Sequence, residues 1–221
     1  MTVVNRGALA AVAAGAAALA VAAVLAVVSR PAGDVGAEQA AALAEASPSV
    51  AGTPGAAPSV AVAPGTLPGD AETVPPVRLR IPGIKVVAQV NPVGVNERTG
   101  EFEVPPSVDQ IGWYRYGPGL AAETGSVVIA GHVDSAEQGK GAFYRLRELA
   151  PGDTLTATGA DGVERTYRVV AREEYDKTKI PLERYFARDG RPRLTLITCG
   201  GPFDAEARRY RDNIVVTAEP V

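Results

Sequence analysis

The chain contains a single cysteine and a single histidine. That scarcity excludes an internal disulfide framework and any zinc site that needs several Cys or His ligands. An excess of one charge sign is also missing: 22 Lys and Arg stand against 25 Asp and Glu, a net charge of -3, and they are scattered along the chain. With no basic stripe to follow a phosphate backbone, nucleic acid is not an expected partner. No glycine-rich nucleotide loop, metal-ligand cluster or cofactor motif occurs, so no cofactor is expected. Aromatic residues make up 5% of the chain, and none falls between residues 31 and 76. Internal repeats are absent as well.

Three textures follow one another along the sequence. From residue 7 to residue 28 no charged or strongly polar side chain occurs, and about 20 apolar residues suffice for a helix to cross a bilayer core. The run is longer than the core of a signal peptide, and Ser29-Arg30-Pro31 is a poor cleavage site. Residues 1–30 are therefore read as a retained, single-pass membrane anchor; a cleaved, alanine-rich signal peptide is the other reading. Arg6 and the amino terminus on one flank favour a cytoplasmic N-terminus, which places the rest outside the cell. Residues 31–76 are dominated by Ala, Pro, Gly and Ser. They read as a linker with too little apolar bulk to offset the entropy of ordering, with an end-to-end distance of roughly 40 Å as a coil. A short helix fits at residues 37–45.

Residues 77–221 form the third texture, in which brief apolar or alternating runs are broken by Gly, Pro, Asn and Asp. This is the pattern of an all-β domain, a barrel or a sandwich. Strands are expected at 77–81, 86–90, 102–104, 112–114, 126–130, 154–158, 165–175, 194–198 and 213–218. Asp161-Gly162 lies between two alternating runs and predicts a hairpin. Pro181 can open a helical turn that Asp189-Gly190 closes.

The residues with chemical potential are few. In Leu194-Thr195-Leu196-Ile197-Thr198-Cys199-Gly200-Gly201 a strand-like run meets the only thiol, and two glycines follow as a flexible loop whose N–H groups can receive an oxyanion. Outside the cell a lone thiol is open to oxidation, so its presence asks for a use; a small buried hydrophobe is the alternative. His132, in Ile129-Ala130-Gly131-His132-Val133-Asp134, also ends an apolar run. Alone it reads as a histidine satisfied by a nearby carbonyl; together with Cys199 it makes the minimum pair for acyl transfer. Asp134 either orients that ring or shapes a turn. Downstream, Arg208, Arg209 and Arg211 offer a cation for an oxyanion, or simply a solvated face.

The segment from Val77 onward resembles the class F sortases of actinobacteria. The resemblance runs through Ile81-Pro82, Gly112-Trp113-Tyr114, Gly131-His132-Val133-Asp134, Phe143 with Leu146, Gly152-Asp153, the Thr195 to Gly201 motif, Phe203-Asp204, and Tyr210 with Asp212-Asn213. It implies an eight-stranded sortase β-barrel with short helices, the Cys at the end of the seventh strand and an Arg on the eighth. It also implies catalytic roles for His132, Cys199 and an arginine; the usual spacing of nine residues after the Cys lands on Arg208. The implied activity is cleavage of a Leu-Pro-X-Thr-Gly-like sorting signal between Thr and Gly through a thioacyl enzyme. The implied partners are secreted proteins carrying that signal, an amine acceptor of the cell wall or another protein, and the membrane. Two other readings are an L,D-transpeptidase and a non-catalytic sortase-like binding module. The first expects His and Cys close together in one motif, whereas 66 residues separate His132 from Cys199.

Overall fold

The computed structural model describes residues 33–45, 73–96 and 102–221. The uncharged run at 7–28 and most of the expected linker lie outside them. Among the described residues no helix is long and apolar enough to cross a membrane.

Ten strands alternate with a few short helical turns. They are β1 (Pro76–Ile81), β2 (Val86–Val93), β3 (Ile111–Tyr114), β4 (Ser126–Gly131), β5 (Asp134–Ser135), β6 (Gly139–Lys140), β7 (Thr154–Gly159), β8 (Glu164–Asp176), β9 (Arg193–Asp204) and β10 (Arg209–Pro220). Eight of them close into a barrel in the order β1-β2-β3-β4-β9-β10-β8-β7, while β5 and β6 form a separate two-stranded ribbon. The all-β, eight-stranded architecture expected from the sequence is the one observed. β2 pairs with β3, and β4 with β9, in parallel; the other barrel pairs are antiparallel. The β7–β8 hairpin turns at Asp161-Gly162, where Gly162 has φ 75°, a left-handed conformation that favours glycine.

Alternation decides what lies inside. Leu79 and Ile81 of β1, Val127 and Ile129 of β4, Leu194 and Leu196 of β9, and Ile214 and Val216 of β10 belong to one buried cluster with Trp113, Phe143 and Tyr167. Because successive side chains of a strand face opposite ways, Ala130 of β4, Ile197 and Cys199 of β9 and Asn213 of β10 point to the outer face. Each fully buried Leu, Ile or Phe contributes roughly 1.5–3 kcal/mol; on the outer face Val128, Thr195 and Val215 are also buried, whereas Cys199 at the strand end is only half-buried.

Three elements depart from the expected strand and linker pattern. Residues 102–104 make only an isolated bridge, Val95 with Phe102, because Pro105-Pro106 follow and supply no N–H to a ladder. β9 does not stop at Cys199 in a flexible loop; it continues through Gly200 and Gly201 to Asp204 and pairs with β10 on both sides of a bulge between Tyr210 and Asp212. The short helix expected at 37–45 is present as α1 (Ala37–Glu45), but it packs on the barrel instead of standing in a free linker, with Ala40 and Leu43 at 2% and 3% exposure. An alanine-rich segment is a good helix former, and residues three apart share a face. β8 outruns β7, whose ladder ends at Thr154 with Arg168, and its uncovered edge at Arg172 exchanges two 2.8 Å hydrogen bonds with Val35. The ordered segment thus caps a sheet edge that would otherwise be unpaired.

Candidate active site

The register of β4 against β9 brings the sole histidine and the sole cysteine together. The last parallel pair is Ala130 with Ile197; His132 lies two residues beyond the first and Cys199 two beyond the second. Neighbouring strands run about 4.8 Å apart. One step past the ladder, the Thr198 hydroxyl donates to the Gly131 carbonyl at 2.8 Å, fastening the two strand ends just where the two residues emerge. Both residues are half-buried, at a face reachable by solvent and substrate.

His132 is held by its surroundings rather than by a carboxylate. Its Nε2 lies 3.0 Å from the Pro105 carbonyl; a carbonyl only accepts, so Nε2 carries the proton of this bond. The main chain is fixed by the Phe143 N–H on the His132 carbonyl at 3.1 Å and the Gly141 N–H on that of Val133 at 2.9 Å. A side chain at Gly141 would meet the His132 carbonyl at 2.3 Å, so glycine is required for that approach. Asp134 does not orient the ring. Its carboxylate accepts a 2.6 Å hydrogen bond from the Tyr210 hydroxyl, which ties the β5–β6 ribbon to the start of β10. That bond, followed by partial burial, pushes the Tyr210 hydroxyl up to about 12, since the neutral phenol is the form that can donate to a carboxylate.

At Cys199 the neighbour is Lys177, whose ammonium donates to Sγ at 3.4 Å. No hydrogen bond joins His132 and Cys199 among the described residues. Lys177 carried no signal in the sequence: it follows a strand, 22 positions before the cysteine, and reaches it only because β10 lies between β8 and β9.

The three arginines separate. Arg208 is not on the terminal strand but in the turn before it, exposed, with φ 52°. Arg209 opens β10 opposite Asp204. Arg211 lies at the bulge and donates to the Asp204 carboxylate at 3.1 Å. That bond, after one from the Ala207 N–H, holds Asp204 below the usual carboxylate range. Counted along β10 from Asn213, the partner of Cys199, Arg211 is about 7 Å away and Arg208 about 17 Å.

The segment between β8 and β9 covers the outer face beside the cysteine. Its helix α2 (Leu182–Tyr185) is moored by Arg184 and Tyr185, which both bond the buried Glu173 carboxylate, the tyrosine at 2.8 Å. Burial, then bonds to Tyr175 and Glu173, push the Tyr185 hydroxyl well above its ordinary value. A cavity of about 450 Å³, lined among others by Leu120, Val127, Tyr167, Arg193 and Val221, lies at the opposite end of β9 and includes none of the residues above. No group of three or more His, Cys, Asp or Glu able to hold a metal occurs among the described residues.

Comparison with known proteins fits this geometry. A family model described as "Sortase domain" matches residues 79–221. Sortase A from Corynebacterium diphtheriae is similar with a TM-score of 0.50 at 21% identity, over 66% of this chain and 61% of that one. The chain therefore spans less than two thirds of that protein. Sortase C-1 from Actinomyces oris gives 0.51 at 22% identity, over 67% and 76%, and Streptococcus agalactiae sortase C1 gives 0.50 at 16%, over 65% and 66%. At these identities the likeness is one of fold. No curated protein matches the chain.

Proposed function

The chain belongs to the sortase family, a family of cysteine transpeptidases, and on that premise we propose that it is a membrane-anchored, extracytoplasmic transpeptidase of the class F type. It cleaves a Leu-Pro-X-Thr-Gly-like sorting signal between Thr and Gly and transfers the new acyl end to an amine of the cell wall or of another protein. The observation that carries this reading is the pair of strand ends, β4 and β9, which deliver His132 and Cys199 side by side on the outer face. The uncharged run at 7–28 supplies the anchor.

In this mechanism Cys199, its proton having passed to His132, attacks the threonine carbonyl as the thiolate, forming the S–C bond and moving the π pair to oxygen. Collapse of the adduct breaks the C–N bond, and His132 gives its proton to the departing amine. The incoming amine returns a proton to His132 as it displaces the sulfur. For the oxyanion, Arg211 is the better placed guanidinium: it lies on the ladder near Cys199, whereas Arg208, nine residues after the cysteine in sequence, lies in the distal turn. Arg211, itself exposed, exchanges its half-buried Asp204 partner for the substrate oxygen when the signal binds. Intact-mass measurement of the full chain after incubation with a Leu-Pro-X-Thr-Gly peptide, with and without an amine acceptor, tests the reading. A thioacyl adduct that is absent from Cys199→Ala and discharged by the amine is expected; an unmodified chain under all conditions refutes it.

A further inference from the structure

The contact at the sulfur is made by a lysine that the acyl-transfer scheme above does not use. β8 and β10 pair as far as Asp176 with Asp212, and the Lys177 N–H extends that ladder by one bond, to the Arg211 carbonyl at 3.0 Å. A tight turn follows, in which the Asp176 carboxylate accepts from the Thr178 N–H at 2.8 Å and the Lys179 N–H bonds the Asp176 carbonyl at 2.8 Å. The turn fixes the Lys177 backbone and occupies the one carboxylate adjacent to it in sequence. From this point the Lys177 side chain crosses the outer face of β10 and ends 3.4 Å from Cys199 Sγ, partly buried. Among the described residues its ammonium has no carboxylate partner.

Taking an ammonium partly out of water without an anion is unfavourable, and the atom it meets here becomes an anion on losing a proton. The other polar groups around the sulfur have partners of their own. His132, from the end of β4, directs its Nε2 proton to Pro105; Tyr210, from β10, donates to Asp134; Arg211 is paired with Asp204.

We propose that Lys177 is a further catalytic residue, whose ammonium holds Cys199 as the thiolate and so readies the nucleophile, leaving His132 free to serve the leaving and incoming amines. The assignment rests on the sortase reading for its place in catalysis, but the ion pair itself is open to measurement without substrate. A cation beside a thiol raises the thiolate fraction, and the thiolate is the form that neutral iodoacetamide alkylates.

The test is the alkylation rate of Cys199 in the full chain, in detergent, for wild type, Lys177→Met, Lys177→Arg and His132→Ala. At about pH 6.5, below the ordinary thiol range, Lys177→Met is expected to react about tenfold more slowly, Lys177→Arg within about threefold of wild type, and His132→Ala to be affected less than Lys177→Met. At about pH 10, where an ordinary thiol is ionised, the gap closes. Equal rates for Lys177→Met and wild type at the lower pH, a larger loss in His132→Ala, or a gap that persists at the higher pH each overturns the assignment. The last outcome means that Lys177 controls access rather than charge. If the alkylation pattern holds while the wild type neither cleaves nor acylates with a sorting peptide, the lysine–thiolate pair stands and the sortase activity falls.

Discussion

Thr198→Val tests whether the strand-end bond does more than fill space. Thr198 is 4% exposed and valine has its shape, so the substitution removes one donor and leaves the packing nearly intact. The donor's partner is the carbonyl of buried Gly131, one step beyond the last β4–β9 pair at Ala130 with Ile197. Removing the donor to a buried carbonyl costs about 1–3 kcal/mol. In a domain of this size each kcal/mol lowers the melting temperature by roughly 2–4 °C, so calorimetry should show a fall between about 2 and 12 °C. The catalytic effect is separate. His132 and Cys199 follow the bonded residues directly, and a displacement of about 1 Å between reacting groups costs on the order of 100-fold in rate; kcat on a sorting peptide should drop toward that figure. Thr198→Ser keeps the hydroxyl and loses a methyl, at about 1 kcal/mol, and should retain most of kcat. If Thr198→Ser is as damaging as Thr198→Val, the threonine matters for packing and the strand-end argument fails.

Arg211→Ala should lower kcat by about 10² to 10³, with Arg211→Lys recovering little because the fork geometry is gone; Arg208→Ala should stay within about threefold, and the reverse ranking on the same peptide assay moves the oxyanion role back to Arg208. His132→Ala should lose at least ~100-fold in kcat while peptide binding, read by fluorescence anisotropy, survives. The raised Tyr210 hydroxyl stays protonated in the folded chain up to about pH 12, so its tie to Asp134 is intact below the ordinary tyrosine range and is lost as pH rises through the folded value. Phenolate absorbance of wild type minus Tyr210→Phe should show that late step, and Asp134→Asn should bring it earlier; an unchanged step rejects the pairing. Gly36→Ala would set a Cβ 2.0 Å from the Val170 carbonyl at φ 76°, so α1 should detach and become sensitive to limited proteolysis within Ala37–Glu45, with the barrel's circular dichroism unchanged.

What could be read in the sequence was whatever local periodicity encodes. Alternation with period two located β1, β3, β4 and β7 to within a residue at most termini, and Asp161-Gly162 gave the β7–β8 turn, because both depend on a few adjacent residues. The sole Cys and His stood out by count. The features that escaped are those a single bulge or an intervening strand creates. The nine-residue spacing implied by the family resemblance lands on Arg208, whereas β9 and β10 fold back as a hairpin, so residues farther from the cysteine in sequence come closer in space. The turn carries Arg208 away and the returning strand brings Arg211 near. Gly200 and Gly201 looked like a loop, but Gly201 at φ 70° sits opposite the Asp212 carboxylate, where a Cβ would come within 1.8 Å of Oδ2. They are glycines because strands approach there, which is the other reason a β-ribbon uses them. Lys177 belongs to the same class of hidden residue. Its distance to Cys199 is set by two strand pairings, β8 with β10 and β10 with β9, each fixed by alternation into the core. A one-residue slip in either pairing would turn the lysine or the cysteine to the opposite face, so the hydrophobic pattern of the inner face specifies the charge environment of the thiol on the outer one.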